Sequence, residues 1–204
     1  MSPIEEKIYY PAMRLRTAFF RPLNKSLTGF GVSADMVSYL GVAFMVAFVF
    51  ALPNHRVLAF WLLFARMIAD IMDGPLARFQ KTDNDRGKFV DVLMDNLDFA
   101  LFVFGCVRAG LLHGLTGAAY LFITELLVIL LIIRYNLKHK SADWFFYASA
   151  GSLPYNFVYA SYALFAYYAF TGTNHLNGPA QLFAVIMAIK ANGEFRAIQK
   201  TKKN

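Results

Sequence analysis

Hydrophobic and polar positions divide the chain into an amphipathic leader followed by six apolar stretches. Residues 3–29 interleave aromatics with bases, among them Tyr9, Tyr10, Arg14, Arg16, Phe19, Phe20, Arg21 and Lys25. That alternation predicts a helix lying in the headgroup layer and drawn to anionic lipid; the alternative is an ordinary solvated leader. The apolar stretches run over 35–53, 57–80, 87–111, 116–138, 152–171 and 177–197, each near the roughly 20 residues that cross a bilayer as a helix. Turn-forming residues separate them at Pro53-Asn54, Asn84 to Gly87, Gly110 to Gly117, Gly151-Ser152 and Thr171 to Gly178. The expected fold is an all-α membrane protein with six transmembrane helices preceded by an N-terminal amphipathic interfacial helix. Residues 1–30 form the juxtamembrane segment, and 31–204 form a six-helix domain with a basic C-terminal tail. The N-terminus, with Glu5 and Glu6, lacks the short apolar core of a cleavable signal peptide.

Composition agrees with a membrane setting. Hydrophobic residues make up 58% of the chain and charged residues 16%, and a soluble domain of this length could not bury so much apolar surface. The single cysteine, Cys106, sits in an apolar run, where a small buried hydrophobe is expected. The net charge of +7 matters less than its placement. Of the 20 Lys and Arg residues, 17 fall in the leader, 78–88, 134–140 and 190–203, leaving Arg56 and Arg108 for the opposite loops and Arg66 inside the second stretch. Six spans with both termini cytoplasmic satisfy that asymmetry. Charge of this kind follows the membrane flanks, and no nucleic-acid partner is expected.

Against this background four aspartates stand out: Asp70, Asp73, Asp91 and Asp95. A carboxylate at membrane depth is expensive and marks a functional site by default. At 1.5 Å per residue, Asp73 and Asp70 lie roughly 10 and 15 Å above the end of the second stretch near Gln80, while Asp91 and Asp95 lie about 6 and 12 Å above Gly87. The pairs therefore meet at similar depth, and spacings of three and four put each pair on one helix face. Four ionised carboxylates repel one another unless a cation or protons intervene, and the simplest resident is a hard divalent metal. Gly74 and Ala77 leave space on the first face. Pro75 interrupts the hydrogen-bond ladder beside it, and Arg78 stands at the mouth, well placed for a phosphate.

Taken together the run reads D-x2-D-G-x2-A-R-x8-G-x3-D-x3-D, from Asp70 to Asp95. It resembles the signature of the CDP-alcohol phosphatidyltransferase family, with every defining position present at the family's spacing. The six-stretch layout and basic leader are similar to that family as well. The resemblance implies a phospholipid-synthesising enzyme that moves a phosphatidyl-type group from a CDP-linked lipid, such as CDP-diacylglycerol, to a small polar alcohol and releases CMP. It implies Asp70, Asp73, Asp91 and Asp95 as ligands of one or two Mg²⁺ or Mn²⁺ ions, with Asp95 also the general base. Asp70, Gly74, Ala77, Arg78 and Gly87 would bind or shape the pocket for the nucleotide and diphosphate. A homodimer in a prokaryotic cytoplasmic membrane, its active site facing the cytoplasm, is expected on the same ground.

The acceptor is less legible. Arg134 and Lys138 are candidate ligands for an acceptor phosphate, as for glycerol 3-phosphate or inositol phosphate; alternatively they are topological anchors. Arg134-Tyr135-Asn136 and Gly151 to Pro154 are also similar to segments of bacterial phosphatidylserine synthases, which would make serine the acceptor. Ser33 to Ser38 is similar to a Thr-Pro-Asn-x-Val-Thr segment of the family, with Ser38 a candidate cavity residue and Asp35 read as a helix N-cap. Asp98 is expected to tune the site or to pair with Arg66 or Arg108. Glu125, deep in the fourth stretch, should face protein or water. Tyr162, Tyr167 and Tyr168 are read as core or interfacial aromatics. A cation transporter or channel is the competing class; it would need polar groups leading onward from Asp70, where the residues are Phe, Leu and Val.

Overall fold

The computed structural model describes residues 15–82, 85–139 and 153–201, and every regular element among them is helical. A short helical stretch, 15–19, leads into α1 (Arg21–Gly29); then follow α2 (Ala34–Ala51), α3 (Arg56–Gln80), α4 (Asp85–Arg108), α5 (Gly114–His139), α6 (Leu153–Thr171) and α7 (Asn177–Thr201). The helices α2 to α7 fall on the six apolar stretches. Helix α2 and residues 114–134 of α5 are long and apolar enough to cross a membrane. The other four are less uniformly apolar: α3 and α4 carry the aspartates, α6 is interleaved with tyrosines, and α7 holds Lys190, Glu194 and Arg196. The Tyr9, Tyr10 and Arg14 part of the leader lies outside the described residues, as does Gly151-Ser152.

Helix ends follow local chemistry. Ser33, not Asp35, is the N-cap of α2: its hydroxyl accepts the Met36 N–H at 3.2 Å, and Asp35 sits in the first turn, where its charge complements the helix dipole. The motif's first helix ends earlier than the Asn84–Gly87 turn because Lys81 adopts a left-handed conformation (φ 59°). Thr82 N–H then reaches Ala77 O at 2.9 Å and Lys81 N–H reaches Arg78 O at 3.3 Å, a Schellman closure built without glycine. Gln80 ties this end to the α1–α2 junction, donating to Val32 O at 2.7 Å and Thr28 Oγ1 at 3.1 Å.

Helix α2 packs against both α3 and α4, α5 against α7, and α3 against α6. Met45 and Phe48 of α2, Phe102 of α4, Leu127 of α5, Phe165 of α6 and Met187 of α7 are all fully buried in one core. Phe48 stacks on Phe102 at 5.8 Å and meets Phe165 edge-on at 5.2 Å, an arrangement that ring quadrupoles favour. Cys106 is buried among them, as its sequence setting suggests. The outer faces are also apolar, with Phe50, Phe122, Leu182 and Ile189 well exposed. In water so much exposed apolar surface would aggregate; against lipid tails it is solvated. A smaller cluster of Ala34, Val37, Ala69 and Leu76, with Leu27 of α1, fixes the start of α2 against α3.

Gly105 permits the α2–α4 crossing. A methyl group there would lie 2.8 Å from the Phe48 ring and 3.5 Å from Val49 Cα. Gly105→Leu is therefore expected to destabilise the bundle by about 1–3 kcal/mol through overpacking, read as a lowered thermal midpoint in detergent.

Candidate active site

Pro75 lies inside α3 without ending it. Because proline has no N–H, the Ile71 carbonyl one turn earlier loses its helical donor. Arg16, from the leader, supplies a replacement donor: Nε bonds Ile71 O at 2.8 Å, with a further contact from Nη2, which also bonds Asp70 O at 3.0 Å. Thr17 accepts from Arg78 Nε at 3.1 Å. The leader is thus joined to the site helix at the backbone of its first aspartate.

The carboxylates of α3 and α4 converge on Arg66. This guanidinium is 9% exposed and pairs with Asp70 at 3.0 Å, with Asp95 at 2.6 Å and with the buried Asp98. The Asp70 contact follows from i,i+4 spacing on α3; the other two cross to α4. Asp98 therefore pairs with Arg66, while Arg108 donates to Val49 O at 2.9 Å. Asp73 is oriented differently: Ser38 Oγ donates to its Oδ2 at 2.9 Å and the Gly74 N–H to its Oδ1 at 2.6 Å.

Two cavities flank this cluster. The first lies between α2, α3 and α4 and is lined by Ser38, Asp70, Asp73, Asp95 and Asp98 with Arg66. The second opens toward α5 and α6; it shares Arg66, Asp70 and Asp95 and adds Glu125, Tyr159 and Tyr162. Gly74 borders two guanidinium groups: a Cβ built there lies 3.5 Å from Arg78 Nη1 and 3.8 Å from Arg16 Nη2. Ala77, like Leu27 and Val32, packs against the Ala34–Leu76 cluster. Gly87 sits in the first turn of α4, and Asp91 follows on the same helix with its side chain outside the described residues.

The structure does not bring Arg134 to these cavities. It pairs with Glu194 of α7, a 2%-exposed carboxylate that Lys190 also meets at 2.8 Å. The side chain of Lys138 lies outside the described residues.

Among the described residues no three acidic, His or Cys groups are arranged to hold one metal ion. The physical reason is visible: Asp70 and Asp95 are turned onto Arg66, and Asp73 onto Ser38 and Gly74. The donor chemistry nevertheless suits a hard divalent cation, since four carboxylates and a hydroxyl line one cavity. A metal there would be held by Asp70, Asp73 and Asp95 in exchange for Arg66.

Sequence reasoning placed the aspartates but missed Arg66 as their hub and Arg16 as the partner of the interrupted helix. The first had a signal: an arginine inside an apolar stretch, four residues before an aspartate, needs a partner. The second had none, because Arg16 is one base among several in the leader.

Fold and site together define an all-helical membrane protein with a carboxylate centre between its helices. A family model described as CDP-alcohol phosphatidyltransferase matches residues 32–191, and the chain belongs to that family. It is an integral membrane protein of a transferase family that works in phospholipid synthesis, whose members generally use divalent metal ions. No curated protein matches the chain significantly.

Removing Arg66 while keeping its partners strands buried charge. Arg66→Met is expected to destabilise the protein by about 3–5 kcal/mol, with much of that recovered in Arg66→Met/Asp98→Leu, as measured by unfolding in detergent. Arg16→Ala takes the donors from the Ile71 carbonyl, and roughly tenfold faster amide exchange is expected across residues 70–78.

Proposed function

We propose that this protein transfers a phosphatidyl-type group from a CDP-linked lipid, CDP-diacylglycerol or a close relative, to the hydroxyl of a small polar alcohol and releases CMP. The acceptors weighed are glycerol 3-phosphate, inositol phosphate and serine. One observation carries the reading: Asp70 and Asp73 from α3 meet Asp95 from α4 around a single cavity, inside a chain the family model matches. The remaining motif residues take complementary parts. Asp91 joins the metal set, and Gly74 leaves an opening that Arg78 and Arg16 flank with positive charge, suited to a diphosphate. Ala77 and Gly87 keep the helix surfaces low beside it. Bound Mg²⁺ or Mn²⁺, one ion or two, supplies charge neutralisation on the diphosphate and stabilises the departing CMP.

The chain's own residues do the rest. Asp95 lies on both cavities and accepts the proton of the acceptor hydroxyl. The acceptor oxygen forms a bond to the lipid-bearing phosphorus, and the bond from that phosphorus to the CMP oxygen breaks, CMP leaving with the electron pair. Arg66 holds Asp70 and Asp95 in place before the donor arrives, and pre-set geometry is worth several kcal/mol of barrier.

In this reading α2 to α7 are six membrane spans, the leader rests in the interface, and the aspartates open to the cytoplasm of a prokaryotic cell. The enzyme works as a homodimer. A cation transporter is disfavoured because Ala59, Leu63, Phe99 and Phe102, all buried, fill the route beyond the aspartates.

The test is CMP release from CDP-diacylglycerol by purified protein with Mg²⁺, each acceptor supplied in turn. Asp95→Asn is expected to lower acceptor-dependent release by roughly 10²- to 10⁴-fold, and chelation of the metal to abolish it. Release that persists in Asp95→Asn would remove the general-base assignment, and absence of both metal and CDP-lipid binding would remove the reaction.

A further inference from the structure

Glu125 is a carboxylate the transfer reaction leaves without a part. It projects from the middle of α5 into the second cavity and has no hydrogen-bond or ion-pair partner among the described residues. An ionised group in the apolar interior of a helical bundle is costly without a counter-charge. The walls around it are aromatic: Phe99 from α4, and Tyr155, Tyr159 and Tyr162 from α6. The Tyr159 and Tyr162 rings stand 6.3 Å apart and nearly perpendicular. Ring faces and one carboxylate are the chemistry that receives an ammonium or quaternary amine.

The cavity also reaches the reacting groups, since Asp70 and Asp95 line it. A molecule seated there places a hydroxyl toward Asp95 and its other end toward Glu125. We infer that this cavity, lined by α3, α4, α5 and α6, is the acceptor pocket of the proposed transferase, and that it takes a small alcohol carrying a protonated or quaternary amine. The inference rests on the proposed reaction and narrows its acceptor.

Charge argues against a phosphorylated acceptor. The only cation lining the cavity among the described residues is Arg66, and Asp70, Asp95 and Asp98 already engage its three nitrogens. Arg134 is committed to Glu194. A phosphate ester entering this space would meet the Glu125 carboxylate, which has no partner among the described residues, whereas an amine would be paired by it. In the transfer the acceptor gives its hydroxyl proton to Asp95, its oxygen bonds to the lipid-bearing phosphorus and CMP departs; the amine keeps its charge throughout.

The experiment combines kinetics with binding. CMP release from CDP-diacylglycerol is followed with ethanolamine, choline, serine and glycerol 3-phosphate as acceptors, in wild type, Glu125→Gln and Glu125→Asp. Binding of ethanolamine and choline is measured by calorimetry on the same preparations. Release is expected with the cationic alcohols, with serine weaker because its own carboxylate faces Glu125. Glu125→Gln should raise the KM for the cationic alcohol roughly 10- to 100-fold, with a smaller change in kcat, and Glu125→Asp should recover part of it. Release driven by glycerol 3-phosphate, or a KM for the amine indifferent to Glu125→Gln, overturns the pocket assignment and leaves the transferase intact. Amine binding that Glu125→Gln abolishes, without CMP release from any acceptor, supports the pocket and overturns the reaction. Absence of both overturns the two together.

Discussion

Everything around the site depends on placing carboxylates within an apolar helical bundle, and one guanidinium partners most of them. Arg66 meets Asp70 on its own helix and Asp95 and Asp98 across the gap. A planar, permanently charged fork can satisfy several carboxylates at once, which a lysine cannot do with the same geometry. The contact also fixes how α3 and α4 face each other. The cavity between α2, α3 and α4 and the aromatic cavity both border it, so both are shaped by the same cluster.

The second constraint is the proline within α3. A helix that loses a backbone bond at membrane depth needs another donor, and here the donor is a side chain from the leader. Arg16 on the Ile71 and Asp70 carbonyls, with Thr17 on Arg78, couples the leader to the groups proposed to bind the diphosphate. A segment that reads as a surface anchor is thus tied to the helix that carries Asp70 and Asp73. Movement of the leader at the membrane surface would be felt at Asp70.

In the proposed reaction, acceptor and donor chemistry fall on different sides of the aspartates. Positive charge collects at the Gly74 side, from Arg78 and Arg16. Negative charge and aromatic surface collect on the α5–α6 side, at Glu125 and the tyrosines. Asp95, shared by both cavities, is where the two substrates would meet.

By itself the sequence determined the helix positions and pointed to the family. The six apolar stretches coincide with α2 to α7, because a long apolar run satisfies its own backbone best as a helix, and the eight spaced residue types from Asp70 to Asp95 carry the resemblance to the family whose model matches the chain. Periodicity also put Asp70 and Asp73 on one face of α3, and both line the first cavity. Tertiary structure alone decided the partners. Ser33 rather than Asp35 caps α2, Arg134 turns to Glu194 rather than to a substrate cavity, and Arg16 reaches a carbonyl 55 residues away. Each of those choices depends on which helices lie side by side, and hydrophobic patterning marks which face is buried without saying against what. Glu125 shows the same division: its sequence position announced an exceptional carboxylate, and the packing of α4, α5 and α6 gave it aromatic neighbours and a cavity.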